Sequence, residues 1–287
     1  MVLLICPANS FVLLYFQLVS LCRAKVEKNG ISADSFTVNS LIWLHHSRKY
    51  FYFYCKSETV EISDNIAFVR ALIPAGVKLV AVSKTKPVED ILIAYNAGQK
   101  AFGENKVQEL VQKYELLPKD IEWHFIGHPQ TNKIKFIAPF VSLIHGVDSL
   151  KLLTVIDGEA KKCGRRINCL LQFHIATEDT KFGFSADEAF GMLASAEFQH
   201  LENVNICGVM GMATFTDDVV RIKKEFQSLK TIFDELKIKF FDQNADFCEI
   251  SMGMSDDFAI AINEGSTIVR IGSRIFGSRN YQNQKIE

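Results

Sequence analysis

From residue 62 onward, short apolar blocks alternate with longer stretches in which apolar residues recur every three or four positions. The blocks lie at 78–83, 101–103, 122–127, 142–147, 168–175, 205–213, 247–252 and 267–272, and their length and content predict eight strands. Several are apolar on successive residues, the pattern of parallel strands covered by helices. Between and after them, helical spacing appears at 88–96, 106–114, 131–138, 150–162, 186–196, 219–237 and 256–264. In the sixth of these stretches Val219, Ile222, Phe226, Leu229, Phe233 and Leu236 trace one stripe. A further short helix precedes the first strand, with Ser63 or Asp64 as N-cap and Ile66, Val69, Leu72 and Ile73 on one face. This α/β order predicts a single (β/α)8 TIM barrel preceded by that helix. A doubly wound open sheet is the alternative. It is disfavoured because no GxGxxG follows the first strand and the strand count closes a barrel with none left over.

Residues 1–60 lack this punctuation. Residues 1–57 hold six of the 32 Lys+Arg, two of the 33 Asp+Glu and one of the 16 glycines, so this leader is +4 while the rest of the chain is −5. Its segment 36–55 is aromatic and basic without a clean period. The leader is expected to be an unstructured extension or translated upstream sequence, set apart from a barrel domain over 61–287. An alternative start at Val60 would still open a complete barrel. A membrane anchor is the lesser reading, because no basic segment precedes the apolar run and Pro7, Asn9, Ser10 and Gln17 interrupt it. The net charge of −1 gives no overall field for a nucleic-acid backbone or an anionic membrane, so neither is an expected partner. Seven cysteines without a CxxC pair fit reduced thiols, a cytoplasmic protein and no metal cluster.

Chemistry in such a barrel sits at the C-terminal ends of the strands. The first strand ends in Val82-Ser83-Lys84-Thr85-Lys86-Pro87. By position alone Lys84 is a solvated lysine, whereas a partly buried amine beside a second cation, Lys86, loses its proton more easily and attacks aldehydes. Asn105 closes the second strand and is either a site residue or the N-cap of the next helix. His124, alone on the third strand, reads as a core histidine. The seventh strand runs into Ser251-Met252-Gly253-Met254-Ser255-Asp256-Asp257 and the eighth into Val269-Arg270-Ile271-Gly272-Ser273. Glycines beside hydroxyls in these two loops let backbone N–H groups converge on an anion, and barrels often hold phosphate there. Arg270 is either part of that site or one half of a structural ion pair.

The segments AVSKTKP (81–87), AGQKAFGENKVQE (97–109), EWHFIG (122–127), TKFGF (180–184), SMGMSDD (251–257) and GSTIVRIGSRIFG (265–277) occur in this order. Together they resemble the pyridoxal phosphate homeostasis protein family, over about Ile62 to Tyr281. The resemblance implies a barrel of the alanine racemase type that holds pyridoxal 5'-phosphate as an aldimine on Lys84. It places the phosphate among Ser251, Gly253, Ser255, Gly272 and Ser273, Arg270 toward the pyridine nitrogen and Asn105 near the ring. Pro129 and His174 depart from the family pattern, at the loop after the third strand and the lip of the fifth. The leader has no counterpart there.

An arginine at the pyridine nitrogen leaves that nitrogen unprotonated, which weakens the ring as an electron sink. The expected function is therefore a carrier that buffers or delivers the cofactor in vitamin B6 homeostasis, with apo-enzymes as partners and a monomeric state. The alternative is an amino-acid racemase. It would need a second acid/base group opposite Lys84, from a β-domain for which the 10 residues after Gly277 leave no room.

Overall fold

The structure, a computed structural model, describes residues 41–47, 50–55, 62–176 and 182–277. The chain divides into two units, Met1–Glu61 and Ile62–Glu287. In the first, β1 (Leu41–Ser47) and β2 (Tyr50–Cys55) pair antiparallel with Leu41 opposite Cys55. The leader thus contains a hairpin where no regular element was expected. Its strand β2 reads Tyr-Phe-Tyr-Phe-Tyr-Cys, in which no polar face alternates with an apolar one, so the pattern carries no period of two.

The second unit opens with α1 (Ile62–Ala71), which buries Ile66 and Val69. Eight strands follow: β3 (Lys78–Val82), β4 (Ala101–Glu104), β5 (Glu122–Phe125), β6 (Leu143–Val147), β7 (Ile167–Phe173), β8 (Val204–Gly211), β9 (Glu249–Ser251) and β10 (Ile268–Ile271). They close a barrel in the order β10-β3-β4-β5-β6-β7-β8-β9, with every neighbouring pair parallel. The predicted (β/α)8 barrel is therefore the observed fold. Its outer layer comprises α2 (Val88–Asn96), α3 (Val107–Leu116), α4 (Ile134–Ile137), α5 (Leu150–Lys162), α6 (Ala186–Leu193), α7 (Ala196–Gln199), α8 (Val219–Phe240), α9 (Phe258–Asn263) and α10 (Ser273–Phe276).

Two predicted helices are interrupted. The stretch at 131–138 begins as a 3-10 turn, Thr131–Lys133, before α4, and 186–196 breaks where Ser195 caps a new turn at α7. Helix α10 was not foreseen, since four residues are too few to show a helical period. Two caps follow sequence rules, since Ser185 and Glu188 form a capping box on α6 and Asp218 accepts from the backbone of Val220 and Arg221 to start α8, whereas Ser63 and Asp64, expected as N-caps of α1, lie inside it because the helix begins at Ile62. Asn65 of α1 donates to the carbonyl of Ile275 (2.8 Å), tying the first helix of this unit to the last.

Alternation along the strands sorts the core into two layers. Outward residues such as Phe102, Trp123, Phe125, Ile144, Leu171 and Val269 pack beneath the helices in one large cluster. A smaller cluster of Val80, Ala101, Leu143, Leu170, Cys207, Met210 and Ile268 fills the inside. The same parity sends His124, His145, Ser251 and Arg270 inward, and carries on through β3 to Lys84 just past its end.

Candidate functional site

Lys84 lies half-buried immediately beyond β3, and both of its chain neighbours are clamped. Before it, the Ser83 hydroxyl donates to Glu104 Oε1 (2.6 Å) and the Ser83 carbonyl accepts from Lys113 Nζ (2.8 Å). After it, the Thr85 N–H donates to Glu109 Oε1 (2.6 Å). Lys113 Nζ joins the two carboxylates, at 2.7 Å from Glu104 and 2.7 Å from Glu109. Thr85 sits at φ +65°, a left-handed conformation that costs a β-branched residue energy and persists only when its surroundings fix it. The Glu104–Lys113–Glu109 triad supplies that fixation, so the direction in which Lys84 leaves the strand is set from both sides. Burial raises the Glu104 pKa, while Lys113 and Ser83 act to hold it down. Its Oε2 is buried with no hydrogen-bond partner among the described residues. Lys86, expected as a second cation near Lys84, donates through Nζ to the carbonyl of Phe276 (2.7 Å) and is anchored on α10.

Strand β10 is the hydrogen-bonded neighbour of β3, with Arg270 opposite Val80. Arg270 is 4% exposed, and a cation buried to that degree ordinarily pairs with a carboxylate. Here Nη1 donates to Ser251 Oγ (2.5 Å) and Nη2 to the carbonyl of Gly211 (3.2 Å). Both partners are neutral. The nearby Asp257 accepts from the Met254 N–H (2.5 Å), and its pKa is raised, first by burial, with Met254 and Arg270 opposing. Burial pushes the Arg270 pKa down to about 10, with Asp257 opposing, which leaves the guanidinium charged at neutral pH. Among the described residues Arg270 thus forms no ion pair, and both partners hydrogen-bonded to its guanidinium are neutral.

Next to Arg270 the exits of β9 and β10 meet. The Gly253 carbonyl accepts from the Arg270 N–H (3.0 Å), and Gly272 N–H donates to Ser255 Oγ (3.3 Å). Gly253 has φ +93°, and a Cβ there would lie 2.6 Å from that of Ala261. A Cβ on Gly272 would lie 3.1 Å from the carbonyl oxygen of Val82, so the exit of β10 rests tightly against the exit of β3, two residues before Lys84. Ser273 is exposed at the start of α10. The structure therefore gathers Gly253, Ser255, Gly272 and Ser273 at one edge of the barrel mouth. Ser251 lies elsewhere: it is fully buried inside the barrel, with its hydroxyl engaged by Arg270 and by His145 Nδ1 (2.9 Å). Asn105 is half-buried at the exit of β4 and plays no capping role, because the N-cap of α3 is Lys106.

His124 is buried, as expected of a core histidine, but it has a partner, His145, at 2.9 Å between Nδ1 and Nε2. His145, Glu104, Glu109 and Lys113 were not singled out from sequence. The i, i+4 spacing of Glu109 and Lys113 on a helix was visible, and so was a carboxylate ending the otherwise apolar Ala101–Glu104 block.

Fold and site together define a barrel of the alanine racemase class, and the family model "Alanine racemase, N-terminal domain" matches residues 59–280. Relatives within that class are much closer. The pyridoxal phosphate homeostasis protein of Pasteurella multocida is 40% identical over 210 residues, covering 72% of this chain and 88% of the relative. That of Homo sapiens is 38% identical over 215 residues, covering 71% of this chain and 77% of the relative. The chain belongs to the pyridoxal phosphate homeostasis protein family. The structure of PipY from Synechococcus elongatus with PLP bound superposes with a TM-score of 0.69 at 33% identity, over 75% of this chain and all of PipY. Among the described residues no helix is long and apolar enough to cross a membrane.

Proposed function

We propose that this protein binds pyridoxal 5'-phosphate covalently on Lys84 and acts as a carrier that buffers or delivers it. The observation that carries the reading is the pairing of β3 with β10. It sets a lysine with clamped chain neighbours at the exit of the strand paired with that of a buried arginine, whose hydrogen-bond partners among the described residues are neutral. Pyridoxal phosphate supplies an aldehyde for a lysine amine, an acceptor nitrogen in its ring and a phosphate dianion. The residues present fit each of these. Lys84 would hold the aldehyde carbon, Arg270 would face the ring nitrogen and Asn105 would lie near the ring. Gly253, Ser255, Gly272 and Ser273 would receive the phosphate where the exits of β9 and β10 meet, with the two glycines packed closely on Ala261 and on Val82. Ser251 serves the same site through Arg270. The names of the relatives and the PLP-bound PipY support this reading.

A guanidinium at the ring nitrogen has no proton to give up at neutral pH and keeps that nitrogen unprotonated, which suits storage better than turnover. The carrier reading includes monomeric action in the cytoplasm and apo-enzymes as recipients, with residues 1–60 outside the cofactor-binding domain 61–287. Titration of the purified protein with pyridoxal phosphate should generate a visible absorption band that borohydride abolishes. The loaded protein, incubated with L-alanine and other amino acids, should form no D-isomer. Steady D-isomer formation would move the protein to the racemase reading.

The phosphate site makes a separate demand. Gly272→Asp places a carboxylate beside the phosphate, where two like charges about 4 Å apart repel by roughly 4 kcal/mol at an effective dielectric constant near 20. It also presses a Cβ against Val82. Affinity for pyridoxal phosphate is expected to fall at least about a hundredfold, well beyond any loss in unfolding midpoint. Equal losses in free energy for binding and folding would reduce Gly272 to a packing glycine.

A further inference from the structure

Four side chains from four strands form one hydrogen-bonded line through the barrel interior. Arg270 of β10 donates to Ser251 of β9, Ser251 shares a hydrogen bond with His145 of β6, and His145 shares one with His124 of β5 (2.5, 2.9 and 2.9 Å). Strands β9 and β10 are neighbours, whereas β6 stands across the barrel from them, so the line spans the interior. All four side chains are at least 96% buried. Such a buried polar line is costly unless every member is satisfied, and here each is held by the next.

We propose that Ser251 and His145 are positioning residues for Arg270, fixing the rotation of its guanidinium so that the N–H groups not used on Ser251 and Gly211 face the cofactor ring. The inference rests on the placement of pyridoxal phosphate given above and adds what orients the arginine. A carboxylate in Ser251's place would orient Arg270 equally well but would neutralise it. A hydroxyl backed by a neutral imidazole orients it and leaves its charge for the ligand. The histidines suit this task because burial lowers the His124 pKa to about 3, with Lys78 adding to the effect. Burial likewise holds His145 well below its ordinary value, with His124, Arg270 and Lys78 adding to the effect. Neither becomes a second cation behind the arginine at neutral pH.

A double-mutant cycle in the full-length protein tests this. Ser251→Ala is expected to weaken pyridoxal phosphate binding about tenfold and to shift the visible band of the bound cofactor. In an Arg270→Gln background the same substitution should change neither, with residual binding read by borohydride labelling at saturating cofactor. His145→Gln provides an independent second variant and should show the same dependence on Arg270. Equal losses from Ser251→Ala in both backgrounds, or an unmoved band in the single variant, would overturn the positioning role while leaving the cofactor assignment standing. A wild-type protein that takes up no cofactor would instead overturn the site itself.

Discussion

Lys84→Ala is expected to retain no covalently fixed pyridoxal phosphate after borohydride reduction, while peptide mapping of the wild type should place the phosphopyridoxyl mass on Lys84 alone. The argument is geometric. Lys84 is half-buried past the end of β3, its inward parity follows from Val80, and its neighbours are clamped so that its side chain leaves the strand in one direction. Lys86, the nearest competitor in sequence, is anchored on the carbonyl of Phe276, and Lys133 stands on a different strand's loop. Because a half-buried side chain at the mouth contributes little to the core, the unfolding midpoint of the unloaded variant should stay close to that of the unloaded wild type. Label recovered on Lys86, Lys133 or Lys181 would move the site, and a variant that still carries label would remove Lys84 from it.

Lys113→Met is the second large effect, and it reaches the site from behind. Glu104 is fully buried, and Lys113 is the cation that meets its charge as well as that of Glu109. Removing one partner of a buried pair strands the other, at a cost of about 3–5 kcal/mol. The pH dependence has a definite sign. Burial already raises the Glu104 pKa, and Lys113 opposes this, so in Lys113→Met the folded pKa rises further. A carboxyl whose folded pKa exceeds its unfolded one favours the folded state when protonated, and that contribution fades as pH climbs through the folded value. The penalty of Lys113→Met, measured by denaturant unfolding, should therefore be smaller near pH 5 than at pH 7. Glu109, which holds the Thr85 N–H, loses its cation at the same time, so labelling of Lys84 should slow even where the fold survives. A penalty that is flat with pH would show that Glu104 does not carry the destabilisation.

The barrel was legible because each strand is one apolar block bounded by turn residues, and eight such blocks leave few architectures. The exits of β3, β9 and β10 were legible for a related reason: lysine, serine and glycine following an apolar block are conspicuous. What escaped depends on register and on burial. Nothing local distinguishes Lys113 from a solvated lysine on an amphipathic helix, since its burial follows from how α3 packs over Ser83. Ser251 sits four residues before Ser255 and reads as part of the same loop, yet the period of two turns its side chain inward to Arg270. The link from His124 through His145 to Ser251 joins positions 21 and 106 residues apart and exists only once the barrel closes. The hairpin in the leader escaped because β2, five aromatics followed by Cys55, has no polar and apolar alternation to read.

The two ends of the barrel domain meet at a seam, where Ile268–Ile271 of β10 lie against Lys78–Ala81 of β3, and the exit of β10 is tied to that of β9 through Arg270, whose N–H donates to the Gly253 carbonyl and whose side chain donates to Ser251. A molecule bonded to the exit of β3 and held by its phosphate at the exits of β9 and β10 would lie across that seam like a clasp. Occupancy would then be felt as mechanical closure as well as chemistry: the loaded barrel is fastened where its first and last strands join, and surrendering the cofactor means unfastening that join.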